Sequence, residues 1–209
     1  MAAAAFRNMW KIFIRRNKVS EATRLKLYNI YVRPILLYNS GTWGVNETCL
    51  ESLDAFHRRQ LRSLLGIRYP QKISNVALYK RCDCLPLRFN VFESRWKLFG
   101  HILRRDINIP ANTFMQEYFE TQDNLKAFRG RRRTCLPIVL DQDLGSISGC
   151  GRLKSTADME QLRTKAQDRE QWKIMSTSML EAIHHTYSEK QKKKRRQRNK
   201  KKNLTDAND

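Results

Sequence analysis

Cys82 and Cys84 stand two apart, and the other residues that could help them bind a soft metal, His101 and Cys135, lie far along the chain. Structural zinc sites usually pair cysteines with roughly two to four residues between them and repeat the pair or follow it with spaced histidines. A one-residue gap without a second half does not fit, so no metal and no cofactor are expected. His101 has no nucleophile or orienting carboxylate in its own segment, and phosphate contact suits it better than base catalysis. Asp141 and Asp143 stand apart from other acids and read as solvated loop charges. Cys49 and Cys150 bring the cysteines to five, an odd and irregular set in a chain that opens without a signal-peptide core. Free thiols inside a cell follow from that pattern.

The remaining chemistry is cationic. The 209 residues hold 41 Lys and Arg against 20 Asp and Glu, a net charge of +21, which exceeds the needs of a solvated surface. A polyanionic partner is expected: nucleic acid, an anionic membrane or an acidic protein. No apolar run approaches the roughly 20 residues that cross a bilayer, so no membrane partner is expected. The basic residues cluster as Arg58, Arg59 and Arg62, then Lys97, His101, Arg104 and Arg105, then Arg131, Arg132 and Arg133, and finally Lys193, Lys194, Arg195 and Arg196. Phosphate contact tolerates loose geometry, so such clusters suit electrostatic binding without base readout.

Amphipathic helices must carry these groups. Trp10, Phe13 and Ile14 predict a first helix over 6–17. Ser20 should cap the next, with Leu25, Tyr28 and Val32 on one stripe, and Pro34 should kink or break it before Gly41. Thr48 and Glu51 have capping-box spacing, and the helix they open carries Leu50, Leu53, Phe56, His57, Leu61 and Leu64 until Gly66 stops it. Arg58, Arg59 and Arg62 fall within about one third of its circumference, away from Leu53, Phe56 and Leu64. Ser74 should cap a short helix over 76–80. From Pro86 another helix spans about 88–105, with Phe92, Trp96, Phe99 and Leu103 on one face, the second basic cluster on the other, and Gly100 admitting a close neighbour.

Beyond Asp106 the apolar pattern thins around Pro110, the Gly130 to Arg133 run and the segment 145–151, which predicts a flexible basic linker over 107–154. Ser155 or Thr156 should cap a last helix over 155–187 carrying Met159, Leu162, Ala166, Trp172, Met175, Met179 and Ile183. From Lys190 to Lys202 ten of thirteen residues are basic and none is acidic. A disordered basic tail over 188–209 is expected, held extended by like charge.

The order of these motifs resembles the region that follows the polymerase palm in reverse transcriptases of non-LTR retrotransposons. Leu27, Tyr28, Val32, Pro34, Leu37, Tyr38, Gly41 and Trp43 are similar to the family's thumb segment. Phe56, Arg59, Leu61, Arg62, Leu65 and Gly66 are similar to its next helix. Arg95, Trp96, Gly100, His101, Ile102, Leu103 and Arg104 match its most specific block. Gly130 with Arg131, Asp143 with Leu144, and Ala166 with Asp168, Arg169 and Trp172 resemble later landmarks in the same order. Leu136 departs from the pattern, standing where the family commonly has tryptophan, and 135–140 is apolar where the family carries acids.

The resemblance implies a mainly α protein, with a thumb-like bundle and helical connecting region over 1–106 followed by the linker, last helix and tail. It implies binding of RNA, DNA or an RNA-DNA hybrid and possible docking against a polymerase palm, while the basic run from Lys190 to Lys202 reads as a nuclear-import signal, for a location in the nucleus or shuttling between cytoplasm and nucleus. Family polymerases hold their metal ions on two adjacent aspartates in the palm. No Asp-Asp pair occurs here, so no enzymatic activity is expected of this chain. The alternatives are a domesticated basic nuclear or ribosome-associated interaction protein, and a retrotransposon relic without function.

Overall fold

The computed structural model describes residues 1–14, 18–122, 134–145 and 151–205, the side chains at 13, 14, 121, 122 and 198–205 excepted. The fold is mainly α, and no strand occurs among the described residues. The chain divides into two compact units, Met1–Arg95 and Trp96–Asp209. The division falls before the expected boundary at 106, because Trp96, Phe99 and Leu103 belong to the second core.

In the first unit α1 (Ala2–Asn8) starts earlier than expected, since the alanines at 2–5 favour a helix, and Met9 separates it from α2 (Trp10–Ile14). Ser20 Oγ accepts the Thr23 N–H at 3.1 Å and opens α3 (Glu21–Leu27), as its position implies. The helix then widens into a π turn, Tyr28–Val32, before α4 (Arg33–Leu36). Pro34 offers no N–H to the turn before it, and the expected interruption takes this widened form. Tyr28 and Val32 are fully buried, joining Phe6, Leu61, Leu64 and Leu78 in one core.

Helix α5 (Glu47–Leu65) is capped by Asn46, whose Oδ1 accepts the Cys49 N–H at 3.0 Å, rather than by Thr48. Gly66, at φ 74°, ends it as expected, with its N–H and that of Ile67 returning to the Ser63 and Arg62 carbonyls. The buried stripe is Leu50, Asp54, His57, Leu61 and Leu64, rotated from the expected one, with Leu53 and Phe56 only half buried. Asp54 lies within this buried stripe. Its carboxylate is matched by Arg88, whose Nε lies 2.6 Å from Oδ2 and whose backbone N–H lies 3.2 Å from Oδ1. Glu47 holds the same guanidinium at 2.6 Å. Ser74 caps α6 (Asn75–Arg81) as expected.

Helix α7 (Leu87–Arg104) gives Trp96, Phe99 and Leu103 to the second core. The span read as a flexible linker, 107–154, is helical in part, and 123–133 and 146–150 lie outside the described residues. It carries α8 (Pro110–Gln122) and α9 (Leu136–Leu144), which bury Met115, Phe119, Leu140 and Leu144. Pro110 and Pro137 sit in the first turn of these helices, where a missing N–H costs nothing, so they start helices instead of breaking them. The apolar stretch at 135–140 supplies α9's core side chains.

Ser155 opens α10 (Thr156–Gln167) in a capping box with Asp158. The single last helix expected is in fact two, because Asp168 turns extended and its Oδ1 accepts the Glu170 and Gln171 N–H groups. Helix α11 (Arg169–Thr205) follows. It continues as helix through the basic run to Thr205, where charge alone led to the expectation of an extended tail: unbranched Lys, Arg and Gln favour helix and neither Gly nor Pro follows Gly151.

Trp172 on α11 lies over Gly100. A Cβ there would stand 2.3 Å from the indole Nε1. That nitrogen donates to the Trp96 carbonyl at 3.3 Å, and the ring packs against Trp96 and Phe99 with centroids 5.6 and 6.0 Å away. Gly100→Ala is therefore expected to destabilise the protein by about 1–3 kcal/mol through overpacking, more than the ~1 kcal/mol alanine gains in helix propensity. Chemical denaturation checks this, and a midpoint at or above that of the parent would refute the seating of the indole.

Asp141 and Asp158 bind the chain between α9 and α10. Burial raises the Asp141 carboxyl, but Arg152 at 3.0 Å and the Leu153 N–H at 2.9 Å hold it below its ordinary value. Asp158 is lowered by the Lys154 N–H against a small burial effect, and by Ser155. Depressed carboxyls stabilise the fold above their unfolded pKa of about 3.9 and lose that contribution as pH falls through the lower folded value. Acid titration should therefore unfold the parent cooperatively below about pH 4, while D141N/D158N shows less loss over that window. An identical acid profile in both would show that these groups do not couple to folding.

Candidate nucleic-acid interface

The cations of the first unit divide by what their helix faces. Arg59 is exposed on α5. Arg58 and Arg62 are half buried and turn toward α6, with Arg58 Nη1 3.4 Å from the Tyr79 hydroxyl and Arg62 Nη2 2.6 Å from Asn75 Oδ1. The expectation that all three point away from packed surface holds for Arg59 alone, because α6 packs along this end of α5. The loop joining these helices adds exposed Arg68 and Lys72 on either side of Tyr69, whose side chain is 90% exposed. Nothing periodic marks those residues in the sequence. Their signal is an aromatic flanked by cations in a short loop, a composition suited to stacking on a base while phosphates are held.

In the second unit Lys97 and His101 on α7 and Arg105 just past its end are exposed and follow one another at four-residue steps, opposite the Trp96, Phe99 and Leu103 face. Arg105 Nε donates to His101 Nε2 at 3.3 Å. Arg104 does not share this ridge. Its Nη1 donates to the Ala166 carbonyl at 3.2 Å, and burial first, then the charge of Arg169, lowers its pKa.

The end of α7 is closed by two residues without an apolar signature. Asn112, fully buried, donates to the carbonyls of Ile102, Arg105 and Asp106. Arg163 donates to the carbonyls of Leu103 and Arg105 at 3.0 and 3.4 Å. These groups satisfy the carbonyls a helix leaves open at its C-terminus and place positive charge at the negative end of its dipole.

Arg131, Arg132 and Arg133 lie outside the described residues. Lys193, Lys194, Arg195 and Arg196 are exposed on α11. Consecutive helical positions turn by about 100°, so these four surround the helix with charge instead of lining one face. Asp143 is a correction to the solvated reading: it is buried and accepts the Trp96 Nε1–H at 3.0 Å. Asp141 is likewise held, by Arg152 and the Leu153 N–H.

Among the described residues no group of three metal-binding side chains is assembled, and Cys49, Cys82, Cys84 and Cys135 are free of disulfides. Among the described residues no helix is long and apolar enough to cross a membrane. Comparison with protein-family models, curated proteins and solved structures gives no match.

Arg104 and its neighbour Arg105 separate packing from surface charge. Arg104→Gln should cost about 1 kcal/mol through the lost bond to Ala166, and Arg105→Gln should leave stability within about 0.5 kcal/mol of the parent. Thermal unfolding of the two variants measures the difference, and equal destabilisation would contradict their assignment to different roles.

Proposed function

We propose that this chain is a nucleic-acid-binding module of the thumb and connecting type found toward the C-terminal end of non-LTR retrotransposon reverse transcriptases, with no polymerisation step of its own. The observation that carries the reading is the ridge of Lys97, His101 and Arg105, exposed along the side of α7 and just past its end, opposite its packed face. The exposed cations of α11 extend the same chemistry. The resemblance supports it further, since its blocks at 95–104 and 166–172 meet in one core through Trp96, Gly100 and Trp172. Binding of this kind is set by phosphate spacing and duplex shape rather than by base edges. The partner is RNA, DNA or a hybrid of the two.

The test must separate a folded binding surface from charge at the end of α11. A protein ending at Tyr187 keeps Trp172, Met179 and Ile183, the residues by which α11 packs. It should still bind a duplex or hybrid oligonucleotide, with affinity falling as salt rises. Changing Arg59, Lys97 and Arg105 together to glutamine spares Arg62 and Arg104, which serve packing. Each lost phosphate contact removes roughly 0.9 from the logarithmic salt slope on B-form DNA, so the slope should flatten by about 2 to 3. If the shortened, soluble, helical protein shows no salt-dependent binding, or the three substitutions leave the slope unchanged, the basic interaction protein becomes the better account.

A further inference from the structure

Cys82, Asp83 and Cys84 close α6. Cys82 returns its N–H to Leu78, Asp83 turns the chain left-handed at φ 45°, and the Cys84 N–H then reaches back to the Tyr79 carbonyl at 3.1 Å. This tight return brings the two thiols near enough to interact, and the interaction favours the thiolate on Cys84 over Cys82. On its other side Cys84 Sγ lies 3.9 Å from Nε2 of His57.

The His57 ring is fixed from three directions. It is buried, stacked between Tyr28 and Tyr79 at 5.6 and 6.2 Å, and its Nδ1 lies 2.8 Å from the Tyr28 hydroxyl. Burial raises the Tyr28 phenol and keeps it protonated, hence able to donate to Nδ1. An imidazole that accepts at Nδ1 carries its proton on Nε2, the nitrogen that faces sulfur. His57 thus turns a donor toward Cys84, and Arg33 adds positive charge nearby. Cys84 is half buried.

We propose that Cys82 and Cys84 form a redox site in which Cys84 is the nucleophile toward hydrogen peroxide and Cys82 the thiol that resolves it to a disulfide. The interaction with Cys82 does most to favour the Cys84 thiolate, opposed by burial and helped by His57, while the same interaction and burial raise Cys82. The pair is therefore polarised before any oxidant arrives. The Cys84 thiolate attacks one peroxide oxygen, the O–O bond breaks, and the departing hydroxide takes a proton to become water, leaving a sulfenic acid. Cys82 then gives up its proton and attacks the Cys84 sulfur. The S–O bond breaks, a second water leaves, and the S–S bond forms. Two thiols have reduced one peroxide to two waters.

The full-length protein allows a direct reading, because trypsin cuts after Arg81 and Arg88 and releases both cysteines in one peptide. One equivalent of hydrogen peroxide should convert that peptide to a form lighter by two hydrogens, restored by a thiol reductant. In Cys82→Ser, Cys84 should instead accumulate a sulfenic acid trapped by dimedone, and in Cys84→Ser, Cys82 should stay reduced. Each unit by which a thiol pKa falls raises the thiolate fraction at pH 6 about tenfold and lowers its nucleophilicity about threefold. Iodoacetamide should therefore label Cys84 in native protein at pH 6 at least threefold faster than in guanidinium-unfolded protein. The site is refuted if Cys84 reacts no faster folded than unfolded, or if Cys49 or Cys135 is oxidised while the tryptic peptide keeps both thiols.

Discussion

The seat of Trp172 against Gly100 is the constraint on which the second unit depends. A tryptophan can approach a helix backbone this closely only where no side chain stands between, and Gly100 is placed one turn after Trp96, whose carbonyl receives the indole proton. The indole also completes an aromatic group with Trp96 and Phe99. Apolar burial drives the association and carries no direction. Direction comes from the hydrogen bond and from the missing Cβ, which together admit one placement of α11 against the second half of α7. Asp168 makes that placement reachable by ending α10 and capping α11 within a single residue.

Buried polar groups do comparable work where apolar surface is short. Asp54 and Arg88 lie almost wholly out of water, and a buried ion pair gains little net stability over an apolar pair of the same size. Breaking it by removing one partner is costly, so its effect is to specify how α5 meets the start of α7. Asn112 and Arg163 act in the same way at the other end of α7, where open carbonyls require donors. Asp143 under the Trp96 indole follows the same logic. Each of these acceptors or donors is matched by a partner from a different segment, which excludes slipped packings that leave it unsatisfied.

The sequence made the signals with local causes legible. Ser20, Ser74 and Ser155 cap the helices they precede, Gly66 ends α5, and the Trp96 to Leu103 stripe and the small residue at Gly100 are where periodicity places them. Signals whose meaning depends on a distant partner were not legible. Asp54 looks like surface until Arg88 is opposite it. Pro110 and Pro137 look like breakers until a helix is known to begin beside them. Arg62 and Arg104 look the same as Arg59 and Arg105, yet they reach Asn75 and the Ala166 carbonyl, from segments 13 and 62 residues away. Helical phase alone separates a charged face from an apolar one, but it cannot say which part of the charged face a neighbouring helix covers.

That distinction decides where the excess charge is available. Arg88 is buried against two carboxylates, while Arg104 and Arg163 serve carbonyls, so they contribute to the net +21 with less of the guanidinium left for a phosphate. Exposed cations include Arg59, Arg68 and Lys72 in the first unit, and the ridge of Lys97, His101 and Arg105 and the end of α11 in the second. The end of α11 is under the greatest strain from its own charge, since ten of thirteen residues are basic and like charges three and four positions apart repel along a helix. Glu189 offsets this once, through Lys192 at 2.8 Å. A polyanion lying against the segment neutralises the same repulsion at many positions, so its binding and the helicity of 190–205 are thermodynamically linked: whatever favours one favours the other by the same free energy.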